Sequence, residues 1–437
     1  MSAMLIQALI FLGCAIALIA LAARRLHPFL ALIVIAVVFG LACGFSLSLL
    51  GKTFGNGFSA SLYSPGLAIV AAGLIADIAE GTGALANLTA KLNGLGGRRI
   101  AALAGLLAGI GAVPASGFAL LTPLLPALGS EAPQRRDVTT VTAALALSAG
   151  HGLIVLAPVP IAATAILGAD WVRVSLIGVP LAFVLAALGA IFASRLPVAA
   201  SPAPAAMKPS GGSAFVLVLA VAVPLSLLIV QSIGEFPSEP LGGGPSRELV
   251  IGVGRPLVLL LVGVAIMAIG HGRAGLKLIA DPSWTAQGLS RVANIVLIVG
   301  AAGGLQKLCQ ESGMAELLGE RLLDWHVGIH GAIVMAFAIA AIIKTLQGSS
   351  LVAAITAAGM MQPLLDQLGA NASVKSLAAL AIGAGAMTVC HVNDSYFWLV
   401  ADRAGLSPPR ALGALGGGTL LQGVAATIVL FILSLFL

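Results

Sequence analysis

Apolar runs of about twenty residues recur from Met4 to Leu437. At 1.5 Å per residue each run is long enough for a helix to cross a hydrocarbon core of about 30 Å. A soluble domain is excluded, since 59% of the 437 residues are hydrophobic and only 9% are charged, against about 25% charged in an average soluble domain. An outer-membrane barrel is excluded too, because its strands alternate polar and apolar while these runs are apolar throughout. The expected fold is an all-α polytopic membrane protein. In that setting 54 glycines and 22 prolines mark close helix packing and broken helices. The net charge of +6 sits in short loops, as the positive-inside rule requires, and does not point to nucleic acid. Cys14, Cys43, Cys309 and Cys390 share no metal-ligand spacing and read as small core residues, so no metal is expected.

Arg24 and Arg25 follow the first apolar run instead of preceding it, so that run reads as a span with its distal end in the cytoplasm, not a cleaved signal. Spans are then expected at about 29–50 and 66–86, the latter followed by Lys91, Arg98 and Arg99 inside. The stretch 100–128 lies between Arg98-Arg99 and Arg135-Arg136, so both its ends are cytoplasmic. It reads as a re-entrant hairpin or a pair of short spans. Residues 138–167 and 174–194 cross next, and a Pro/Ala/Ser/Gly-rich linker follows from Pro197 to Ser213. Further spans are expected at about 214–233, 249–270, 290–308, 376–400 and 411–436, with 328–365 starting and ending outside.

The chain also resembles itself. Ala72 to Gly83 aligns with Ala302 to Gly313, and Ala143 to Gly150 with Ala378 to Gly385; on this register Pro158-Val159-Pro160 falls on Asn393-Asp394-Ser395. The loop after the first copy carries Lys91, Arg98 and Arg99, whereas the loop after the second carries Glu311, Glu316, Glu320 and Asp324 against Arg321. Opposite charge fits copies that face opposite leaflets. The expectation is two inverted-topology repeats, each with a re-entrant hairpin and a broken transmembrane helix, the architecture of secondary transporters. The corresponding divisions are an N-terminal transmembrane helix (1–26), a first repeat (27–196), a linker with an extra transmembrane helix and external loop (197–248), and a second, inverted repeat (249–437).

Four polar clusters interrupt the oil at matched places. They are Gly109 to Gly117 with Pro114 and Ser116; Lys344 to Ser350 with Gln347, Gly348 and Ser349; Gly150-His151-Gly152 followed by Pro158 and Pro160; and His391-Val392-Asn393-Asp394-Ser395. An ionisable group at mid-bilayer costs about 2.5–3.5 kcal/mol on insertion scales, so Lys344 and Asp394 need partners and a use. Backbone freed by Gly and Pro is tolerated at that depth only where it lines protein or a watery cavity, and inward-pointing helix N-termini favour an anion. The prolines also fit a simple kink, and the two histidines fit buried neutral rings. Asp77, Glu80 and Glu311 read as turn residues at span ends.

The run His391-Val-Asn-Asp-Ser-Tyr-Phe-Trp-Leu-Val400 resembles the HVNDSGFWLV signature of the gluconate permease (GntP) family. Gln347-Gly348-Ser349 resembles the family's QGS, His151-Gly152 its THG, Gly168-Ala169-Asp170 its LLGAD, His27-Pro28-Phe29-Leu30 its HPFLAL, and Gln310 to Gly313 its DSG-type turn. The resemblance spans about residues 27 to 437. It implies a proton-coupled importer of gluconate or a related small hydroxy acid anion in a bacterial cytoplasmic (inner) membrane, of a superfamily whose members are often homodimers with an elevator-like motion. Carried over residue by residue, it implies that His151, Gln347, Gly348, Ser349, Asn393, Asp394 and Ser395 line the site, with Lys344 as its cation; Ser116, Gly117 and Ser350 of the polar clusters are expected to bind substrate with them, and the missing hairpin carboxylate leaves Asp394, His391 and His151 as the candidates for proton coupling. No cofactor is expected beyond the coupling ion. Three departures point to a less hydroxylated ligand: Ala115 stands where the family has a hairpin carboxylate, Ala157 where it has a second His, and Leu351 where a Thr is usual.

Two rival classes differ in chemistry. An intramembrane enzyme would need a nucleophile or metal constellation, and neither an HExxH nor a DDxxD-type cluster is present. A sodium-coupled carrier of small carboxylates is the alternative, since Asn393, Ser395, Ser349 and freed carbonyls are also suitable sodium ligands.

Overall fold

The computed structural model describes residues 3–23, 26–92, 94–111, 113–130, 136–197, 211–236, 239–313 and 327–436. Arg24, Arg25, Arg135, the loop from Glu316 to Asp324 and linker residues 198–210, on which part of the expected topology rested, lie outside the described residues. α1 (Ala3–Ala23) and α2 (Pro28–Ala42) open the chain, and α3 (Leu47–Ser61) runs through a π-turn at Leu62–Gly66 into α4 (Leu67–Thr82). After α5 (Ala84–Leu92), a hairpin forms from α6 (Gly97–Ala108), α7 (Pro114–Leu121) and α8 (Leu125–Leu128). α9 (Arg136–Leu153) breaks before α10 (Pro158–Leu167), and α11 (Trp171–Ser194) follows. Four further helices, α12 (Ala214–Gly234), α13 (Pro245–Val253), α14 (Pro256–Gly270) and α15 (Gly272–Ala280), lead to the long α16 (Pro282–Glu311). A second hairpin, α17 (Gly331–Gln347) and α18 (Ser350–Gln367), precedes α19 (Ala372–Ala386), which breaks before α20 (Ser395–Ala404). The chain closes with α21 (Pro408–Ala411), a π-turn at Leu412–Gly416 and α22 (Gly417–Ser434).

Among the described residues six helices are long and apolar enough to cross a membrane, or seven if α13 and α14 count as one bent span. All described regular structure is helical. The burial pattern suits lipid: Leu176, Phe215, Leu249, Leu261 and Ile269 are exposed, while the core is largely alanine and leucine. α9 and α19 are the central pair, buried along most of their length. They cross at Gly152 and Gly383, where a β-carbon on either residue would run into the other's carbonyl. This close approach sets the two helix breaks side by side.

Two spans and one side chain differ from expectation. Residues 51–65, expected between two spans, belong with 47–50 and α4 to one 36-residue helix, Leu47–Thr82. One face of the stretch packs on α16: no β-carbon fits on Gly57 or Gly303, and the Ser61 hydroxyl presses on Gly303. The span expected at 249–270 is bent by 61° between α13 and α14, because Pro256 opens α14 and holds Arg255 extended at ψ 143°. Asp77 is no turn residue. Its side chain is 9% exposed and bonds Arg291 of α16 at 2.5 Å, with Glu80 3.4 Å from the same guanidinium. Glu311 pairs within its own helix with Lys307 at 2.8 Å.

Several motifs of the resemblance are caps. His27 accepts the Phe29 N–H at 3.3 Å, with Pro28 opening α2. Gly168 closes α10 in the left-handed region, and Asp170 accepts the Arg173 N–H at 2.8 Å to open α11. Gly405 closes α20 as Gly168 closes α10, and each helix has 10 residues. That match pairs Ala157 with Asp394, two residues away from the register read in the sequence.

Candidate functional site

The second break is eight residues long, from Met387 to Asp394. It includes Val389 at φ 48°, a strained conformation for a β-branched residue. It lies against the tip of the second hairpin, where Gly348 ends α17 at φ 74° and leaves no room for a β-carbon beside the Asn393 carbonyl. Lys344, in the last turn of α17, is 2% exposed. Its ammonium donates to the Gly348 carbonyl at 2.9 Å and to Asp394 Oδ2 at 2.5 Å. The other Asp394 oxygen caps α20 by accepting the Tyr396 N–H at 2.9 Å, and the Cys390 thiol donates to Oδ2 at 3.4 Å. Asp394 is thus both a helix cap and the counter-ion of a buried lysine.

Around this pair the broken helix is stitched to the hairpin. Asn393 Nδ2 donates to the carbonyls of Thr345 at 2.9 Å and Leu346 at 3.2 Å. His391 Nε2 lies 2.7 Å from the same Thr345 carbonyl, its ring edge-on to Phe11 of α1. Asn393 Oδ1 is buried and has no partner among the described residues. Gln347 is buried at the tip, Ser349 caps α18 through the Val352 N–H at 3.4 Å, and Ser350 begins that helix half-buried. Ser395 is committed elsewhere, donating to the Val299 carbonyl of α16 at 3.1 Å.

The first-half residues do not join this cluster by direct bonds. Ser116 lies 3.3 Å from the Ser64 hydroxyl on the first π-turn, and Gly117 packs on the Ala108 carbonyl. His151 is 3% exposed; it bonds the Gly109 carbonyl and sits within electrostatic reach of Lys344 and Asp394. Its Nδ1 has no partner among the described residues. Ala115 and Ala157 are buried at the N-terminal ends of α7 and α10.

Sequence reasoning named the ions and passed over the groups that hold them. Thr345, inside the Lys344 cluster, supplies the carbonyl shared by His391 and Asn393. Tyr396 stands where the HVNDSGFWLV signature has glycine; its hydroxyl donates to the Ala144 carbonyl at 2.7 Å and its ring meets Phe118 edge-on. The departure from the signature was the available signal. A cavity of ≈ 10 Å³ touches the second break, lined by Phe11, Cys14, Phe39, Cys309, His391 and Asn393. That volume is at the limit for one water, so this face of the second break is closed, while Lys344 is 2% and Asp394 15% exposed.

The family model for GntP family permeases matches residues 4–436. The chain belongs to that family. As a family permease it is a transporter and not an enzyme. It is 29% identical to a gluconate permease of Pseudomonas aeruginosa, over 97% of this chain and 96% of that one. A gluconate permease of Zymomonas mobilis is 27% identical over 95% of each chain, and a low-affinity gluconate transporter of Escherichia coli is 26% identical over 89% of each. Among solved structures the YdaH transporter of Alcanivorax borkumensis matches with a TM-score of 0.44 at 16% identity, covering 99% of this chain and 98% of that one.

Proposed function

We propose that this GntP family permease imports a gluconate-type hydroxy acid anion by proton symport with alternating access. The observation that carries the proposal is the ion pair of buried Lys344 with half-buried Asp394 where hairpin tip meets broken helix. In this conformation Asp394 occupies the place on Lys344 that a substrate carboxylate would take. An arriving anion displaces it, and a buried carboxylate left without its cation is too costly to keep. Asp394 therefore takes up a proton when substrate binds. The site has zero net charge both when empty (Lys⁺, Asp⁻) and when loaded (Lys⁺, anion⁻, neutral Asp), so either form reorients at no electrostatic penalty. One proton moves with each monovalent anion.

Gln347, Gly348, Ser349, Ser350 and Asn393 are the groups nearest the bound carboxylate in this reading. Ser116, Gly117 and His151 face it from the first half, Ser395 fixes α20, and His391 and His151 relay the proton. Ala115, Ala157 and the bulk of Tyr396 favour an acid with fewer hydroxyls than gluconate, because each lost polar partner would leave a substrate hydroxyl unpaired at a cost of about 1–3 kcal/mol. The two hairpin-and-break units act as inverted repeats in a bacterial cytoplasmic membrane, in a homodimer with elevator-like motion. The unpartnered Asn393 Oδ1 favours a second reading, in which sodium replaces the proton.

The test is uptake of labelled gluconate, and of glycerate and lactate, into proteoliposomes with an imposed pH gradient or sodium gradient. An inward proton gradient alone drives accumulation, and a protonophore abolishes it. A potassium-valinomycin potential does not change the final level at one proton per anion, whereas a second proton would add about 2.3 kcal/mol per 100 mV. Accumulation that needs sodium contradicts the proton reading.

A further inference from the structure

α6 and α11 leave a groove of ≈ 510 Å³ between them. Its floor is alanine from both helices, and Leu103, Phe183 and Ile191 flank it with about half of each side chain exposed. From Phe183 to Ser194 the groove follows about 16 Å of α11 at 1.5 Å per residue, close to the thickness of one leaflet's hydrocarbon, half of about 30 Å. Arg98 and Arg99 stand at one end, beside Ser194. Both are exposed, and neither makes an ion pair with any described residue.

We infer that this groove holds one anionic phospholipid, its acyl chain on the alanine floor and its phosphate between Arg98 and Arg99. An apolar slot one leaflet deep that ends in two unpaired guanidiniums complements a lipid with a negative headgroup, and guanidinium suits phosphate better than ammonium does. A second copy of the chain fits poorly. Two copies in one membrane share a two-fold axis along its normal, which would set Arg98 and Arg99 of each copy at the same depth against the other's like charges. The bound lipid braces α6, the arm whose far end meets His151 at Gly109, against α11.

The test is native mass spectrometry of the intact protein exchanged from phosphatidylglycerol or phosphatidylcholine into detergent, with its mass checked by light scattering. Wild type retains phosphatidylglycerol in preference to phosphatidylcholine. The surface variant Arg98→Ala/Arg99→Ala weakens phosphatidylglycerol retention about tenfold to thirtyfold, as expected for two charges near the membrane surface. Ala187→Trp, which fills the groove, removes bound lipid of either kind. Equal retention of both lipids by wild type, or no loss in the double arginine variant, overturns the assignment. So does an Ala187→Trp protein that keeps its lipid and changes only its oligomeric mass, which would make the groove a subunit interface.

Discussion

The two hairpin-and-break units solve one problem in different ways. Each has to bury the N-terminus of a half-helix, where backbone N–H groups lack intrahelical partners. The first half removes donors: Pro114 opens α7, and Pro158 and Pro160 take the first and third positions of α10, with no side-chain cap on either helix. The second half adds acceptors: Ser349 caps α18, and Asp394 caps α20. Proline is inert, whereas a carboxylate brings a charge, and that charge is neutralised by Lys344 of the neighbouring hairpin. The described ion pair of the two breaks therefore lies in the second half, while the first half brings the neutral polar side chains of Ser116 and His151.

Removing one ion separates the halves most sharply. Lys344→Met or Asp394→Ala leaves its partner buried and alone, which costs about 3–5 kcal/mol. Thermal unfolding in detergent shows a large loss for either single variant, while Lys344→Met/Asp394→Leu recovers most of the stability and none of the transport. A recovered carrier that still accumulates substrate would break the assignment of chemistry to this half.

A smaller effect is expected from the proline solution. Pro160→Ala returns one N–H to a buried terminus with no acceptor, at about 1–3 kcal/mol, and leaves proton coupling intact in gradient-driven uptake. Ser349→Ala removes a cap worth about 1 kcal/mol, read as a modest fall in the unfolding midpoint. The smallest change is Tyr396→Phe, which loses one hydrogen bond to Ala144, about 0.5–1.5 kcal/mol. Enlarging that site with Tyr396→Gly shifts preference in competition uptake toward more hydroxylated acids, and an unchanged preference would remove Tyr396 from the account of specificity.

Hydropathy made the membrane class and most spans legible, because apolar length is itself the requirement for crossing a bilayer. It missed residues 51–65, whose serines and glycines are polar by composition although Gly57 and Ser61 pack on α16, since contact between helices leaves no trace in an average along one helix. The cost of burying charge made Lys344 and Asp394 legible, and it failed for Asp77, which sits near the end of α4 where a charge looked cheap. The register read from self-similarity differs by two residues from the match of α10 with α20 around Pro158, because the second break is longer than the first and alanine-rich sequence aligns as well at several offsets. What no single-sequence signal carries is which carbonyl a histidine or asparagine meets; Thr345 became part of the site only when α17 and the break were set side by side.

The account rests on Asp394 carrying the proton in exchange for its bond to Lys344. The most direct test is the Asp394→Asn variant in proteoliposomes, with labelled substrate followed in counterflow and in accumulation under an inward proton gradient. Asparagine keeps a cap on α20 but takes up no proton, so counterflow should persist while gradient-driven accumulation disappears. Full accumulation by Asp394→Asn would contradict the account and move the coupling ion to another group.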